Sequence, residues 1–164
     1  MHHSPRFAIE QAGTPHGAWV AAGRARAVLD TNATLDWLVF HDGRMAALAA
    51  AIEGGQVQWI ASARMREELA HVLSHPRLLR WQPDVAAVLA HFDGHANMAP
   101  APAPAPPGLR CSDETDQVFI DLALACGATW LVSHDKAVRR LARAAARRGL
   151  RILPPGGWRA DEGP

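Results

Sequence analysis

Four acidic residues stand at positions from which their side chains could meet: Asp30, Glu68, Asp116 and Asp135. Carboxylates that gather without Lys or Arg repel one another, and they tolerate shared burial when a cation joins them. Their oxygens are hard ligands of the kind that Mg²⁺ and Mn²⁺ prefer, and these ions usually serve phosphoryl chemistry in proteins. The residue types therefore indicate a divalent-cation site that acts on phosphate groups.

Two of the acids follow apolar runs that are typical of buried strands. Asp30 ends the run 27–29, and Asp135 comes shortly after the run 130–132. Because ligands of open parallel sheets bind beyond the carboxyl ends of the strands, we expect both side chains to reach one crevice. The alternative for either residue alone is that it only caps the helix that follows, as Asp often does.

The other two acids lie on predicted helices. Glu68 belongs to a helix that Ser62 can cap, and Asp116 opens a helical pattern. Asp113 and Glu114 stand just before Asp116, where the helix dipole favours negative charge. For Asp113 and Glu114, a solvated cluster stabilised by this dipole is therefore an alternative to a place in the site.

The elements that must position these acids alternate along the chain. Apolar runs predict strands at 25–30, 57–60, 129–133 and 150–153. Helical patterns occur between them, including one helix that begins at Pro83 and one that covers 136–148. The alternation favours a parallel sheet with helices on both faces, which is a three-layer α/β/α fold.

The sequence divides into one domain and two ends. We expect residues 1–24 to be a flexible extension because they lack periodicity, residues 25–155 to form the domain, and residues 156–164 to be a C-terminal tail. The proline-rich stretch 97–108 favours extended polyproline conformation. We interpret this stretch as a surface connector within the domain.

Composition indicates a globular protein outside the membrane. A chain of 164 residues, of which 49% are hydrophobic, can bury a core. Cys111 and Cys126 lack the spacing of a disulfide scaffold or a zinc site, which indicates buried free thiols in a reducing cytoplasm. The longest apolar stretches are too short to cross a bilayer, so we expect no membrane partner.

Charge and aromatic residues give weaker indications of a nucleic-acid partner. The net charge is +1, but arginines crowd residues 139–151. Arg139 and Arg143 are four residues apart, so one helix face could present both to a polyanion backbone, although an ordinary solvated face is the favoured alternative. Core packing is the more common role of the tryptophans that could stack on bases, which are Trp37, Trp59, Trp81 and Trp130.

Four motifs occur in order along the chain. They are Val28-Leu29-Asp30-Thr31-Asn32, Ser62 followed by Glu68-Leu69, Cys111-x-Asp113-x-x-Asp116-x-x-Phe119-x-x-x-Ala123, and Leu131-Val132-Ser133-x-Asp135. This ordered set resembles the PIN-domain nucleases over about residues 25–155. The resemblance is closest to the PIN subfamily of toxin components of toxin–antitoxin pairs.

The resemblance implies a PIN-like α/β/α fold and a metal-dependent endoribonuclease that holds one or two Mg²⁺ or Mn²⁺ ions. By position in the motifs, the acidic quartet of the family corresponds to Asp30, Glu68, Asp116 and Asp135. Supporting residues correspond in the same way to Asn32, Asp113 and Ser133. The implied partners are an RNA substrate, a cognate antitoxin protein and, by analogy, a second copy of the chain.

Two other functions stay open at this point. Mg²⁺-dependent aspartyl phosphatases also carry an Asp at the end of the first strand, but they generally need a second Asp where this chain has Asn32. A catalytically inert module that keeps the fold and binds RNA or protein is the non-enzyme alternative. Retention of all four acids argues against the inert module.

Overall fold

Residues 23–162 are the part of the chain that the computed structural model describes, and they contain one sheet of five parallel strands. The strands are β1 (Ala25–Leu29), β2 (Val57–Ser62), β3 (Ala96–Ala99), β4 (Trp130–Val132) and β5 (Arg151–Leu153). Their order in the sheet is β3-β2-β1-β4-β5. Nearly all of the extension predicted at 1–24 therefore lies outside the described residues.

Helices cover both faces of this sheet, which confirms the predicted α/β/α architecture. They are α1 (Thr31–Leu38), α2 (Ala46–Glu53), α3 (Ala63–Leu73), α4 (Val85–His95), α5 (Gln117–Ala125), α6 (Lys136–Arg139) and α7 (Ala142–Ala146). Short 3₁₀ segments occur at Gly43–Met45, Pro76–Trp81 and Pro107–Leu109. Strands β2 and β4 are buried along their whole length, as parallel strands between two helical layers must be.

Polar side chains cap the helices that follow the central strands. Oδ1 of Asp30 accepts a hydrogen bond from the Ala33 N–H at 2.7 Å, at the start of α1. Oγ of Ser62 accepts one from the Met65 N–H at 3.4 Å, at the start of α3. Each cap satisfies a backbone donor that the first helical turn leaves free, so both helices begin directly at the carboxyl end of a strand.

The start of α4 differs from the prediction. The helix begins at Val85, and Asp84 precedes it as the N-cap, so Pro83 is not the first helical residue. Oδ1 of Asp84 accepts a hydrogen bond from the Ala87 N–H at 3.0 Å. The carboxylate determines the start because it satisfies a free donor, whereas proline only tolerates the first position.

The interpretation of 97–108 as a connector missed an edge strand. Strand β3 pairs in parallel with the last four residues of β2. It has four residues and no apolar run, so no local pattern distinguishes it from a loop. Beyond β3, the Ala105 N–H donates to Oδ1 of Asp121 at 2.7 Å, which attaches the proline-rich segment to α5.

The single helix predicted over 136–148 is wrong, because the segment is divided into α6 and α7. At the division, the Leu141 N–H donates to the carbonyl of Val138, three residues back, and not to the carbonyl four residues back. This tightening interrupts the α-helical pattern of hydrogen bonds. The four-residue spacing of Arg139 and Arg143 therefore does not place them on one continuous helix face.

Three of the four tryptophans considered as base-stacking candidates lie in the core. Trp37, Trp59 and Trp130 are buried, whereas Trp81 is 39% exposed. The rings of Trp37 and Trp59 pack with their centroids 5.2 Å apart. The prediction of core packing for most of these residues is thus confirmed, and Trp81 is the one at the surface.

The described part of the predicted C-terminal tail packs on the domain. Trp158 is buried, and its ring meets that of Trp130 edge-on with centroids 5.8 Å apart. Arg151 of β5 forms an ion pair with Glu162. The chain as far as residue 162 thus adds an apolar contact to β4 and an ion pair to the edge strand β5.

Two predictions from composition can be compared with the described residues. Cys111 and Cys126 are both free and buried, as expected. Among residues 23–162, no helix combines the length and apolar character that crossing a bilayer would need.

Candidate acidic active site

The order in which the chain adds strands to the sheet reverses at β1, which has β2 on one side and β4 on the other. Such a reversal of strand order opens a crevice at the carboxyl edge of a parallel sheet. Asp30 directly follows β1, and its backbone N–H donates to the carbonyl of Val132, the last residue of β4, at 3.0 Å. Asp135 lies in the connection after β4. The two acids therefore flank the crevice.

Asp30 is held in place from both sides of the crevice. Its side chain is buried, with Oδ1 accepting the N–H of Ala33 and Oδ2 accepting the N–H of His134 at 2.9 Å. The helix-cap alternative is thus true of Asp30, but the same carboxylate also joins the end of β1 to the loop after β4. Burial raises the pKa of this carboxyl, and hydrogen bonds from Ala33, Ser133 and His134 offset the effect in part.

Asp116 and Asp135 form a crowded pair of carboxyl groups. Burial, followed by a hydrogen bond with Asp135 and by the charges of nearby acids, raises the pKa of Asp116 to about 7. Carboxylate oxygens of Asp113, Asp116 and Asp135 lie within 4.8 Å of one another. Because two carboxylates this close repel when both are ionised, Asp116 holds its proton to a higher pH than an ordinary Asp in the absence of a cation.

A small cavity of about 90 Å³ connects the acids at the carboxyl edge. Its lining consists of Asp30, Thr31, Asn32, Glu68, Val72, Arg77, Asp116 and Asp135. All four acids of the predicted quartet reach this cavity, and so does the predicted supporting residue Asn32. A water molecule takes up roughly 30 Å³ in the liquid, so the cavity has room for an ion and a few waters but not for a nucleotide.

Glu68 enters the cavity from α3. It is half-buried and lines the cavity, whereas the adjacent Glu67 is exposed and does not. The next residue, Leu69, is buried in the core. The apolar face of a helix determines how the helix is rotated about its axis against the core. With Leu69 buried in the core, Glu68 faces the site and Glu67 faces solvent.

Asp113 and Ser133, the other predicted supporting residues, contact the acids without lining the cavity. Oδ1 of Asp113 accepts hydrogen bonds from the N–H and the hydroxyl of Thr115, which lower the pKa of Asp113 and shape the turn before α5. The buried Oγ of Ser133 accepts the N–H of Asp135 at 3.1 Å and is hydrogen-bonded to Asp30. Ser133 therefore orients two of the four acids.

Asp36 is a buried acid that the sequence interpretation missed. Its Oδ2 pairs with Nε2 of His134, and neither side chain lines the acidic cavity. The pair connects α1 to the loop after β4 and so supports the backbone N–H that His134 gives to Asp30. Nothing local in the sequence signals this pair, because its members are far apart in the chain.

Arg77 is a second residue that the sequence interpretation missed. It lies in the 3₁₀ segment Pro76–Trp81 and is a basic residue in the lining of the acidic cavity. Its position after Pro76, shortly beyond the helix that carries Glu68, is the only local signal that could have suggested it. By contrast, Arg139 and Arg143, which were predicted to contact substrate, do not line this cavity.

The donor set fits a hard divalent cation. Within residues 23–162, the cavity lining offers carboxylate oxygens and no cysteine or histidine, which favours Mg²⁺ or Mn²⁺ over zinc or copper. A cation among these acids would remove the repulsion that raises the pKa of Asp116, since a positive charge offsets the neighbouring carboxylates. Asp30, Glu68, Asp116 and Asp135 are thus the residues that could hold the metal, with Asp113 beside them.

Comparisons with known proteins agree with this architecture. The chain is similar to a chain of a crystal structure described as VapBC2 from Rickettsia felis bound to a DNA fragment from their promoter. The TM-score is 0.53 at 13% sequence identity, and the match covers 79% of this chain and 98% of that chain. This likeness shows a shared fold, and no curated protein matches the sequence. A family model described as the PIN domain matches residues 26–137, which is more than half of the chain, so the chain belongs to the PIN-domain family.

Proposed function

We propose that this protein is a metal-dependent endoribonuclease that hydrolyses phosphodiester bonds in RNA, and that residues 25–155 form its nuclease domain. The observation that supports the proposal most is the meeting of Asp30, Glu68, Asp116 and Asp135 in one small cavity of a PIN domain. Bringing four carboxylates together costs free energy, because they repel one another and lose solvent. Binding a cation offsets this cost, which supports a metal-binding function.

The acids would hold Mg²⁺ or Mn²⁺, which when bound lowers the pKa of water and offsets the charge that grows on a phosphate. Asp30 provides a fixed carboxylate, because backbone N–H groups from two elements orient it. A cation held here would displace the proton of Asp116, whose pKa is raised to about 7, so cation affinity would increase as pH rises through this range. Ser133 fixes the positions of Asp30 and Asp135 relative to each other through hydrogen bonds to both residues.

We further propose that the protein is the toxin of a toxin–antitoxin pair in the cytoplasm, with a cognate antitoxin protein as its partner. Two points support this: the motif resemblance to the toxin subfamily, and the fold shared with a chain from a structure described as VapBC2. A homodimer is proposed by analogy with the subfamily alone.

An aspartyl phosphatase is disfavoured by the surroundings of Asp30. Both of its oxygens already accept backbone hydrogen bonds, which makes Asp30 a poor nucleophile for forming an acyl phosphate. Asn32 also stands where that class of enzyme needs a second Asp. A phosphoaspartate trapped at Asp30 would nevertheless reverse this assignment.

The proposal is tested by RNA cleavage with purified protein. We expect single-stranded RNA to be cut in Mn²⁺ or Mg²⁺ and not in EDTA, with products that carry 5′-phosphates. Asp30→Asn and Asp116→Asn should abolish cleavage, whereas Glu67→Gln, which removes an exposed charge next to Glu68, should retain it. Cleavage that continues in EDTA or in Asp116→Asn would refute the proposal.

A further inference from the structure

The acidic cavity continues into a larger cavity on the surface of the domain. The larger cavity measures about 480 Å³, and its lining consists of Asn32, Leu35, Phe40, Arg77, Leu78, Arg80 and Trp81. Asn32 and Arg77 belong to the linings of both cavities. A chain-like ligand that lay in the larger cavity would therefore pass directly to the four acids.

Arg77 stands at this junction between the two cavities. Its backbone N–H donates to Nδ1 of His75, which starts the 3₁₀ segment. Its guanidinium forms no hydrogen bond or ion pair with any of residues 23–162, although acids line the same cavity. A guanidinium in this position can bind a phosphate oxygen through paired N–H donors.

Trp81 supplies a flat surface beside Arg77. Its ring is 39% exposed, and Phe40 supports it with ring centroids 4.7 Å apart. The guanidinium of Arg80 lies over the ring, with Cζ 3.7 Å from the centroid. An exposed tryptophan stacked with an arginine is a surface on which unpaired bases stack, because both groups are planar and the stack carries a positive charge.

We propose that the 3₁₀ segment, through Arg77, Arg80 and Trp81, binds single-stranded RNA next to the acidic cavity. A base stacks on the Arg80–Trp81 pair, and the phosphate that follows it meets Arg77 at the entrance to the acids. This inference rests on the proposed nuclease function and specifies its substrate as unpaired RNA. An antitoxin segment is the competing occupant. Arg77 and Arg80 have no carboxylate partner in the described part of the chain, and two such arginines complement a phosphate backbone more closely.

The proposal is tested by binding of a short fluorescein-labelled oligouridine to the full chain in EDTA, where no cleavage occurs. We expect Trp81→Ala to weaken binding about fivefold to a hundredfold, and Trp81→Phe to restore most of the affinity. Leu79→Ala is the matched control, because Leu79 is a 68% exposed apolar residue of the same segment that does not line the cavity. The melting temperature of each variant shows whether weaker binding comes from a lost RNA contact or from an unfolded protein.

Arg77 is tested by the salt dependence of the same binding. Loss of one phosphate contact should lower the slope of log affinity against log salt by about 0.7, so Arg77→Gln should show a shallower slope than the wild type. Arg148→Gln removes the same charge from an exposed residue that lines neither cavity, and its slope should be unchanged.

Several results would overturn the proposal. Wild-type affinity in both Trp81→Ala and Arg77→Gln would overturn it and leave the nuclease proposal in place if cleavage still occurs. Equal binding of duplex RNA, or loss of antitoxin binding alone in Trp81→Ala, would also overturn it. RNA binding that depends on Trp81, without any metal-dependent cleavage, would support the RNA-binding surface and refute the proposed nuclease function.

Discussion

Replacing Asp116 with Asn should stabilise the metal-free protein at neutral and alkaline pH. Burial and neighbouring acids raise the pKa of Asp116 from 3.8 to about 7, so the folded state binds this proton more tightly than the unfolded state. Ionisation therefore lowers the free energy of unfolding as pH rises from 3.8 to about 7, and the full loss is present above that range. An Asn at this position has no charge to lose and can still donate to Asp135.

The size of the effect follows from the shift. About three pKa units correspond to ~4 kcal/mol at 1.36 kcal/mol per unit. Because Asp116 is only partly buried, solvent screening reduces the expected gain to about 1–2 kcal/mol. For a chain of this size, such a gain raises the melting temperature by about 2–8 °C.

The assay is thermal unfolding in EDTA from about pH 4 to about pH 8. Wild type and Asp116→Asn should melt at similar temperatures at the acidic end and diverge as pH rises. Glu67→Gln is the control, since Glu67 is exposed and its side chain makes no hydrogen bond within the described part of the chain. A lower melting temperature for Asp116→Asn at the alkaline end, or a gain that does not change with pH, would refute the reasoning.

Three further predictions follow from the same contacts. Mn²⁺ affinity measured by calorimetry should increase from about pH 6 to about pH 8, as the proton leaves Asp116, and an affinity that falls over this range would be inconsistent with that site. Ser133→Ala should lower the rate of RNA cleavage more than it lowers stability, because Ser133 orients two acids, and unchanged cleavage would assign it a packing role alone. Trp158→Ala should lower the free energy of unfolding by about 3 kcal/mol in urea titrations, because Trp158 is buried against Trp130, and a change near zero would mean that the C-terminal segment does not stabilise the sheet.

The placement of Asp30 and Asp135 could be predicted because their signals are local. Each follows an apolar run that is typical of a buried strand, and parallel strands bring their carboxyl ends to one edge. Glu68 is a different case, since the helical pattern alone does not separate it from Glu67. The motif that resembles the PIN domain made that distinction, and the burial of Leu69 explains it physically.

Features that depend on pairing between distant segments could not be predicted. Strand β3 is defined by hydrogen bonds to β2 and not by its own four residues. Arg77 reaches the acids because the 3₁₀ segment turns back after α3, and the Asp36–His134 pair joins residues far apart in the chain. The division between α6 and α7 arises from one tightened turn at Leu141, which helix propensity does not reveal.

The most direct measurement is anomalous scattering from a crystal of the protein grown with Mn²⁺. We expect a peak in the cavity between the side chains of Asp30, Asp116 and Asp135, about 2.1 Å from the coordinating carboxylate oxygens. The assignment of these acids as a metal site would be contradicted if the Mn²⁺ peak lay elsewhere and this cavity were empty. Carboxylates that point to separate surfaces would contradict it as well.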